Sequence, residues 1–426
     1  MLDINLIREN PKLVQKAAKD KNVEINVENI LEIDKKHKKL SIAVQKLREE
    51  RNILTSSMKG KPTPEQIKKG KELKEKLEKE ESELKKTWDD LKEKLYQIPN
   101  IAKTDVKVGR DESANEVIRK HKTPTKFSFT PKDHLDIGEA LDIIDVKSAA
   151  KVSGSRFGYL KNEGALLEFA LIQLALEVLT KEGFIPIVPP VLINKEITQG
   201  LGYWQGKGNE DYYYLSDPDE KKEMYLVGTA EHSIVPIHKD EVLDVKEMPK
   251  RYVGFSSAFR REAGTYGKDT RGILRVHQFD KVEMVSFTTE ENDDKEHDYL
   301  LNLEEKLFQL LDIPYQVVKM CTGDLGFPIA RKFDIEAWMP GQNKYREITS
   351  ASTATDFQSR RLNIKYIKDQ KSNLKEYVHI LNGTAFAIGR TIISILENYQ
   401  KEDGSILIPK ILQKYLNFEK ISPKKI

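Results

Sequence analysis

Five cationic side chains, Arg260, Arg261, Lys268, Arg271 and Arg275, fall in one stretch, FRREAGTYGKDTRGILRVHQF (259–279), around three glycines. A guanidinium fork bonds two phosphate oxygens at once, so a hairpin with such forks at its base is suited to hold a polyphosphate. The spacing predicts two strands flanking a loop, with Arg260 and Glu262 ending the first and Arg275 and Phe279 on the second. Strand alternation then brings Arg275, Phe279 and Glu283 to one face. There an aromatic ring could stack on a base while a guanidinium holds phosphate. Taken alone, the stretch reads as well as a surface hairpin, and Phe279 as a core aromatic.

Other groups gather in turn-like segments. GTAEHS supplies Thr229 and Glu231, and YREITSAS supplies Glu347, Thr349 and Ser350. Carboxylates beside hydroxyls could hold an ammonium group or a divalent metal bridging phosphates. NGTAFAIGR ends in Arg390, which joins a cation to a helix N-terminus and so suits an anion. No GxGxxG or GxxxxGK[ST] run is present, and dinucleotide-fold and P-loop binding are unsupported.

The elements that must position these groups change character along the chain. EGALLEFALIQLALEVLTK (163–181) reads as a helix that Gly183 stops, and FIPIVPPVLI (184–193) as an apolar, proline-bearing strand. RYVGFSSAF, VHQFDKVEMVSF, YQVVKM, KFDIEAWMP and YREITSAS read as further strands, and 383–398 as a helix. The expected class is α+β, a mostly antiparallel sheet flanked by helices.

Before that half comes a different texture. From Ile30 to Met58 apolar residues fall at Ile33, Leu40, Val44, Leu47, Leu54 and Met58 in a heptad stripe interrupted at His37 and Arg51. From Ile67 to Ile98 the stripe returns at Leu77, Leu84, Trp88, Leu91, Leu95 and Ile98, interrupted at Gly70, Lys74 and Glu81. Gly60, Pro62 and Pro64 separate the two, so they fold back as an antiparallel hairpin, an N-terminal domain of residues 1–105 before a second domain at 106–426. Such a hairpin could be a spacer or a dimerisation coiled coil. Its first helix, however, carries seven Lys or Arg against four acids, and Lys59 and Lys61 add to the tip, while ten of each sign balance Glu65 to Ile98. One face and the tip could therefore meet a polyanion. The stretch 99–117 reads as an extended linker.

Composition bounds the rest. The 426 residues carry 71 basic and 68 acidic side chains, a net +3, so any basic surface is local. A single cysteine, Cys321, excludes an internal disulfide, leaves too few thiolates for a structural zinc site and fits a reducing, cytoplasmic compartment. Neither a secretory leader nor a run of about 18 apolar residues is expected to take the chain to a membrane.

Several of these segments together carry a family likeness. FRREAGTYGKDTRGILRVHQFDKVE resembles motif 2 of the class II aminoacyl-tRNA synthetases in their seryl form, LNGTAFAIGRTIISILENYQ resembles motif 3, and GFIPIVPPVLI is similar to motif 1. LVGTAEHS, GDLGFPIARKFDIEAWMP and DFQSRRLNI match the same family, and the hairpin matches its tRNA-binding arm. The resemblance, to seryl-tRNA synthetases of bacterial type, runs along essentially the whole chain. It implies a class II antiparallel-sheet catalytic domain that joins serine to ATP as seryl-adenylate and passes the seryl group to the 3′ end of tRNA(Ser), with tRNA(Sec) a second candidate. It also implies a cytoplasmic homodimer, ATP with Mg²⁺, and no zinc.

Laid on this sequence, the resemblance gives Arg260 the serine carboxylate and α-phosphate, Arg390 the γ-phosphate, Phe279 the adenine face and Glu262 the adenine amino group. Arg261, Arg275, Val276, Ile348 and Thr349 would complete the nucleotide site, and Glu347 with Ser350 would carry Mg²⁺. Thr229, Ala230, Glu231, Glu283, Asn382 and Thr384 would line the serine pocket. The loop from Gly264 to Leu274 would meet the acceptor end of the tRNA. The chain reads EITSAST where bacterial members often read Glu-Val/Ile-Ser-Ser-Cys-Ser-Asn, and it has Thr384 where many have Ser; a hydroxyl survives at 349 and at 384. An adenylate-forming paralogue serving a carrier protein would have no use for the arm, and a non-catalytic RNA-binding homologue none for the arginines.

Overall fold

In a computed structural model the described residues are all but 59, 61, 204–210, 218–221, 263–270, 370–371 and 424–426. Lys59, Lys61, Lys268 and most of the loop assigned to the tRNA end lie outside them. The chain divides into two compact units, Met1–Pro99 and Asn100–Ile426.

The first unit is two short helices followed by two long ones, α1 (Val27–Ser57) and α2 (Pro64–Tyr96). Asn26 caps α1, its side chain accepting from Asn29 N. Thr63 and Gln66 form a reciprocal capping box on α2 behind a first-turn proline, so both helices start where the sequence supplies partners for orphan N–H groups. Val44 on α1 and Leu73, Leu77, Leu91 and Leu95 on α2 are buried along the seam. Lys36–Glu83 and Arg48–Glu81 ion pairs, both 2.7 Å, cross between the helices. The register expected for α2 shifts by one position in two places: Leu73 is buried in place of Lys74, and Thr87 in place of Trp88, which is 44% exposed with its ring 5.2 Å from that of His37.

The second unit is built on an eight-stranded sheet: β1 (Glu116–His121), β2 (Ile185–Ile187), β3 (Lys250–Phe259), β4 (Gln278–Thr288), β5 (Tyr315–Lys319), β6 (Arg331–Met339), β7 (Lys344–Thr353) and β8 (His379–Ala387). Their spatial order is β1-β5-β6-β7-β8-β4-β3-β2, antiparallel throughout except for the parallel pair β2 and β3. Helices α3 (Asn162–Lys181), α4 (Asp293–Leu310) and α5 (Ile388–Tyr399) pack on it around one core containing Leu167, Leu171, Val282, Met284, Leu300, Leu307, Phe386 and Ile392. On β4 the core takes Val282 and Met284, and Phe279 and Lys281, one position out of phase, line a cavity.

Three sequence expectations change. Residues 379–387 continue the sheet, and the helix begins only at Ile388, because β-branched and aromatic residues of ILNGTAF fill a strand between β7 and β4. Residues 184–193 form two short strands in different sheets, since Pro189 and Pro190 cannot donate to a ladder. The first motif strand ends at Phe259 and the second starts at Gln278, leaving Arg260, Glu262 and Arg275 on the connecting segments. Glu262 there takes a left-handed φ of 50°.

Candidate active site

The out-of-phase face of β4 and the ends of β7 and β8 open into a cavity. Arg260, Glu262, Arg275, Val276, Phe279, Glu347, Ile348, Thr349, Ser350, Thr384 and Arg390 line it, so residues separated by up to 130 positions converge as the sequence anticipates. Arg261 does not line the cavity; it is exposed, and its N–H donates to Asp211 O at 2.8 Å.

At one end of the cavity Arg260 spans two neighbourhoods. Its Nε donates to Gly228 O at 3.1 Å, next to Thr229, and its guanidinium carbon stands 5.4 Å from the centre of the Phe279 ring. That distance is a cation–π contact, which holds the ring and the charge together. Phe279 packs against the main core on its other side, so the aromatic reading and the core reading both apply to it. Arg275 Nη1 meets Glu262 Oε2 at 3.2 Å.

At the other end Arg390, in the first turn of α5, donates from Nη1 to Glu347 O and Oε2, both at 3.1 Å. Lys332 reaches Glu347 at 3.9 Å and Asp334 at 3.0 Å. Burial alone would push the Glu347 carboxyl up, but the charges of Arg390 and Lys332 outweigh it and bring it down to about 2. Glu347 is thus a fixed anion. The Thr349 hydroxyl points elsewhere: it donates to Glu304 Oε2 at 2.9 Å. Glu304 is fully buried and raised well above the carboxylate range by desolvation, which makes it a neutral acid beneath the site.

Beside Arg260 lies a second, deeper group of polar side chains. Lys281 Nζ donates to Thr229 Oγ1 at 3.1 Å and pairs with Glu283 Oε2 at 2.6 Å, and the Thr384 hydroxyl donates to the same oxygen at 3.2 Å. The ladder sets this: Glu283 sits opposite Gly254 on β3 and Thr384 on β8, next to a β-bulge at Val282. Glu231 is 3% exposed and takes hydrogen bonds from the Tyr203 hydroxyl at 2.9 Å and Gln358 Nε2 at 3.3 Å. Desolvation first, then the charge of Glu283, raise its carboxyl to about 7. His232 is buried and its pKa lies well below the usual value, so the neutral ring accepts the Gly228 N–H at Nδ1, 3.1 Å. Ala230 is buried, and Asn382 Nδ2 is buried without a hydrogen-bond partner among the described residues.

Lys281, Tyr203, Gln358, Glu304 and Lys332 were not foreseen. Only Lys281 carried a signal, because it stands two residues after Phe279 and two before Glu283 on the same strand. Together the pocket offers paired acids and hydroxyls where a small ammonium-bearing, hydroxyl-bearing molecule would fit, and the larger cavity offers three arginines and an aromatic face. Among the described residues no group of three His, Cys, Asp or Glu side chains is arranged to hold a metal. Glu347 and Ser350 nonetheless supply hard oxygen donors, which suffice for an ion that takes most of its ligands from phosphate and water.

Residues 1–102 match the family model described as the seryl-tRNA synthetase N-terminal domain, and residues 213–399 that of the tRNA synthetase class II core domain (G, H, P, S and T). A serine–tRNA ligase of Dictyoglomus thermophilum is 47% identical with full coverage of both chains, and that of Pyrococcus horikoshii is 42% identical over 99% of this chain and 98% of its own. The crystal structure of seryl-tRNA synthetase from Pyrococcus horikoshii complexed with ATP superposes with a TM-score of 0.91 at 41% identity, covering all of both chains. Cytoplasmic serine–tRNA ligase from Naegleria fowleri in complex with AMP gives 0.87 at 31% identity, over 100% of this chain and 99% of that one.

Proposed function

This chain belongs to the seryl-tRNA synthetase family, and from that premise we propose how its cavity serves the reaction. The activity is that of an ATP-dependent serine–tRNA ligase: serine and ATP give seryl-adenylate and pyrophosphate, and the seryl group then passes to tRNA. The single observation that carries the site reading is Arg260, bonded to Gly228 O on the Thr229 side and stacked against Phe279 on the other. One guanidinium is thereby held between the small polar pocket and the aromatic face.

In this reading the serine ammonium meets Glu231, and the hydroxyl meets the Glu283, Thr384 and Lys281 group. The carboxylate turns toward Arg260, which also meets the α-phosphate. Phe279 stacks on adenine beside Glu262, Arg275 and the Val276 main chain. Arg390 leaves Glu347 for the γ-phosphate, and Glu347 with Ser350 holds Mg²⁺, which would screen the phosphate charges. Attack of the serine carboxylate on phosphorus needs alignment and charge stabilisation and no protein nucleophile. The N-terminal unit grips tRNA(Ser), with tRNA(Sec) a second substrate to be tested.

We place the enzyme in the cytoplasm as a homodimer. No described helix is long and apolar enough to cross a membrane. Leu166, Phe169, Ile185 and Val188 on and after α3 are 46–86% exposed, which is apolar surface suited to a second copy. Pyrophosphate exchange measured with each amino acid tests the reading: serine alone should drive it, and exchange with any other amino acid at a comparable rate would overturn it.

A further inference from the structure

His134 lies outside the serine and nucleotide groups, yet it is in contact with the wall of the nucleotide cavity. It opens the short helix His134–Ala140, capped by Asp133, and its side chain is 7% exposed. Nε2 of its ring accepts the Ile273 N–H at 3.3 Å. Nδ1 lies 3.5 Å from Glu397 Oε1, and that carboxylate also accepts from His134 N at 3.2 Å and Gly341 N at 2.8 Å. Glu397 is fully buried near the end of α5, the helix whose first turn carries Arg390. Ile273, with Leu274, Arg275 and Val276, lines the cavity.

A neutral imidazole donates through one nitrogen and accepts through the other. Here the Ile273 N–H fixes Nε2 as the acceptor, and Nδ1, 3.5 Å from Glu397 Oε1, is buried without a hydrogen-bond partner among the described residues. The fit is close: Gly272 takes a φ of 71°, and a Cβ there would stand 2.1 Å from His134 Nε2. The ring therefore seats on a backbone position that only glycine leaves open.

We propose that His134 is a positioning residue for the nucleotide cavity: its main-chain N–H holds Glu397, on the helix that carries Arg390, while its imidazole accepts from the main chain at Ile273, where the cavity wall begins. It touches no substrate. It fixes the distance between the residues that hold the base and the arginine that holds the far phosphate. Charged groups near the ring are Glu397 from α5, Asp133 on its own segment, and Arg271 and Lys344, which line the same neighbouring cleft.

The inference rests on the nucleotide reading of that cavity, so serine-dependent pyrophosphate exchange by the parent enzyme is established first; its absence would fail that reading and not this one. With exchange in hand, His134→Ala should raise KM for ATP roughly tenfold, about the loss of one hydrogen bond with its alignment, and leave KM for serine within about twofold. His134→Gln, whose amide can accept from Ile273 and donate to Glu397, should restore KM for ATP. An unchanged KM for ATP in His134→Ala, or equal rises for ATP and serine, would overturn the proposal. If the alanine variant does not fold, His134→Leu, similar in bulk and without an acceptor, decides in its place: an unchanged KM for ATP would overturn the proposal.

Discussion

Arg390 and Glu347 neutralise each other across 3.1 Å in the cavity, one nitrogen serving both the carboxylate and the main-chain oxygen of the same residue. The pair gives each of two half-buried groups, an anion and a cation, an opposite charge. In the proposed roles each would exchange its partner when ATP with Mg²⁺ binds. Glu347→Gln should therefore lower exchange and shift the Mg²⁺ concentration for half-maximal rate upward, with a loss of roughly tenfold or more. A variant with the parent's Mg²⁺ dependence would move the ion elsewhere.

Arg260→Ala removes the guanidinium that we propose both reacting partners share. The expected loss in kcat for serine-dependent exchange is about a hundred- to a thousandfold, the range for one group aimed at developing charge. Exchange within a few-fold of the parent would show that the bond to Gly228 only supports the backbone.

Glu231 gives the enzyme a pH signature. Its carboxyl stands raised to about 7, and in the proposed role it would bind the serine ammonium only when ionised. As pH falls through 7, kcat/KM for serine should fall by about tenfold per unit, and above that region it should level off. The profile measured by exchange at saturating ATP checks this, and Glu231→Gln should lose the slope along with most of the affinity. A profile flat from about pH 6 to 8 would count against Glu231 as the ammonium partner.

The two half-reactions should separate at the boundary between the structural units. Replacing residues 30–98 with a short Gly/Ser connection should leave pyrophosphate exchange largely intact, because every cavity residue belongs to Asn100–Ile426. Aminoacylation of tRNA(Ser) should collapse. In the full chain, neutralising the exposed Lys35, Lys38 and Lys39 should flatten the slope of log affinity against log salt by about 0.7 to 0.9 for each phosphate that is no longer neutralised. Charging by the deletion variant at the parent's rate would return the hairpin to a spacer.

Much of this architecture can be read before folding, and the missing parts have a common cause. The arginines, Phe279 and Glu347 are visible because their types are uncommon in bland turns and their segments are short. The two long helices are visible because caps and a stripe repeat locally. Gln358, by contrast, reaches Glu231 across 127 positions, and Glu304 reaches Thr349 across 45. Such partners are chosen by how the sheet stacks against its helices, and no local pattern records that. Residues 383–387 read as the start of a helix for the same reason: the neighbours β4 and β7, not the segment's own residues, decide its state as strand.

The passage from β8 to α5 takes place without a connecting residue, since the strand ends at Ala387 and the helix begins at Ile388. The sheet is therefore the gauge against which Arg390 is set. One residue added at this joint would swing the guanidinium about 100° around the helix axis, away from Glu347, while every side chain remained chemically present. Length at this point is as much a part of the site as the arginine is. Variation in the chain is to be accommodated in the surface loops, and the Ala387–Ile388 joint admits substitution but no change in spacing.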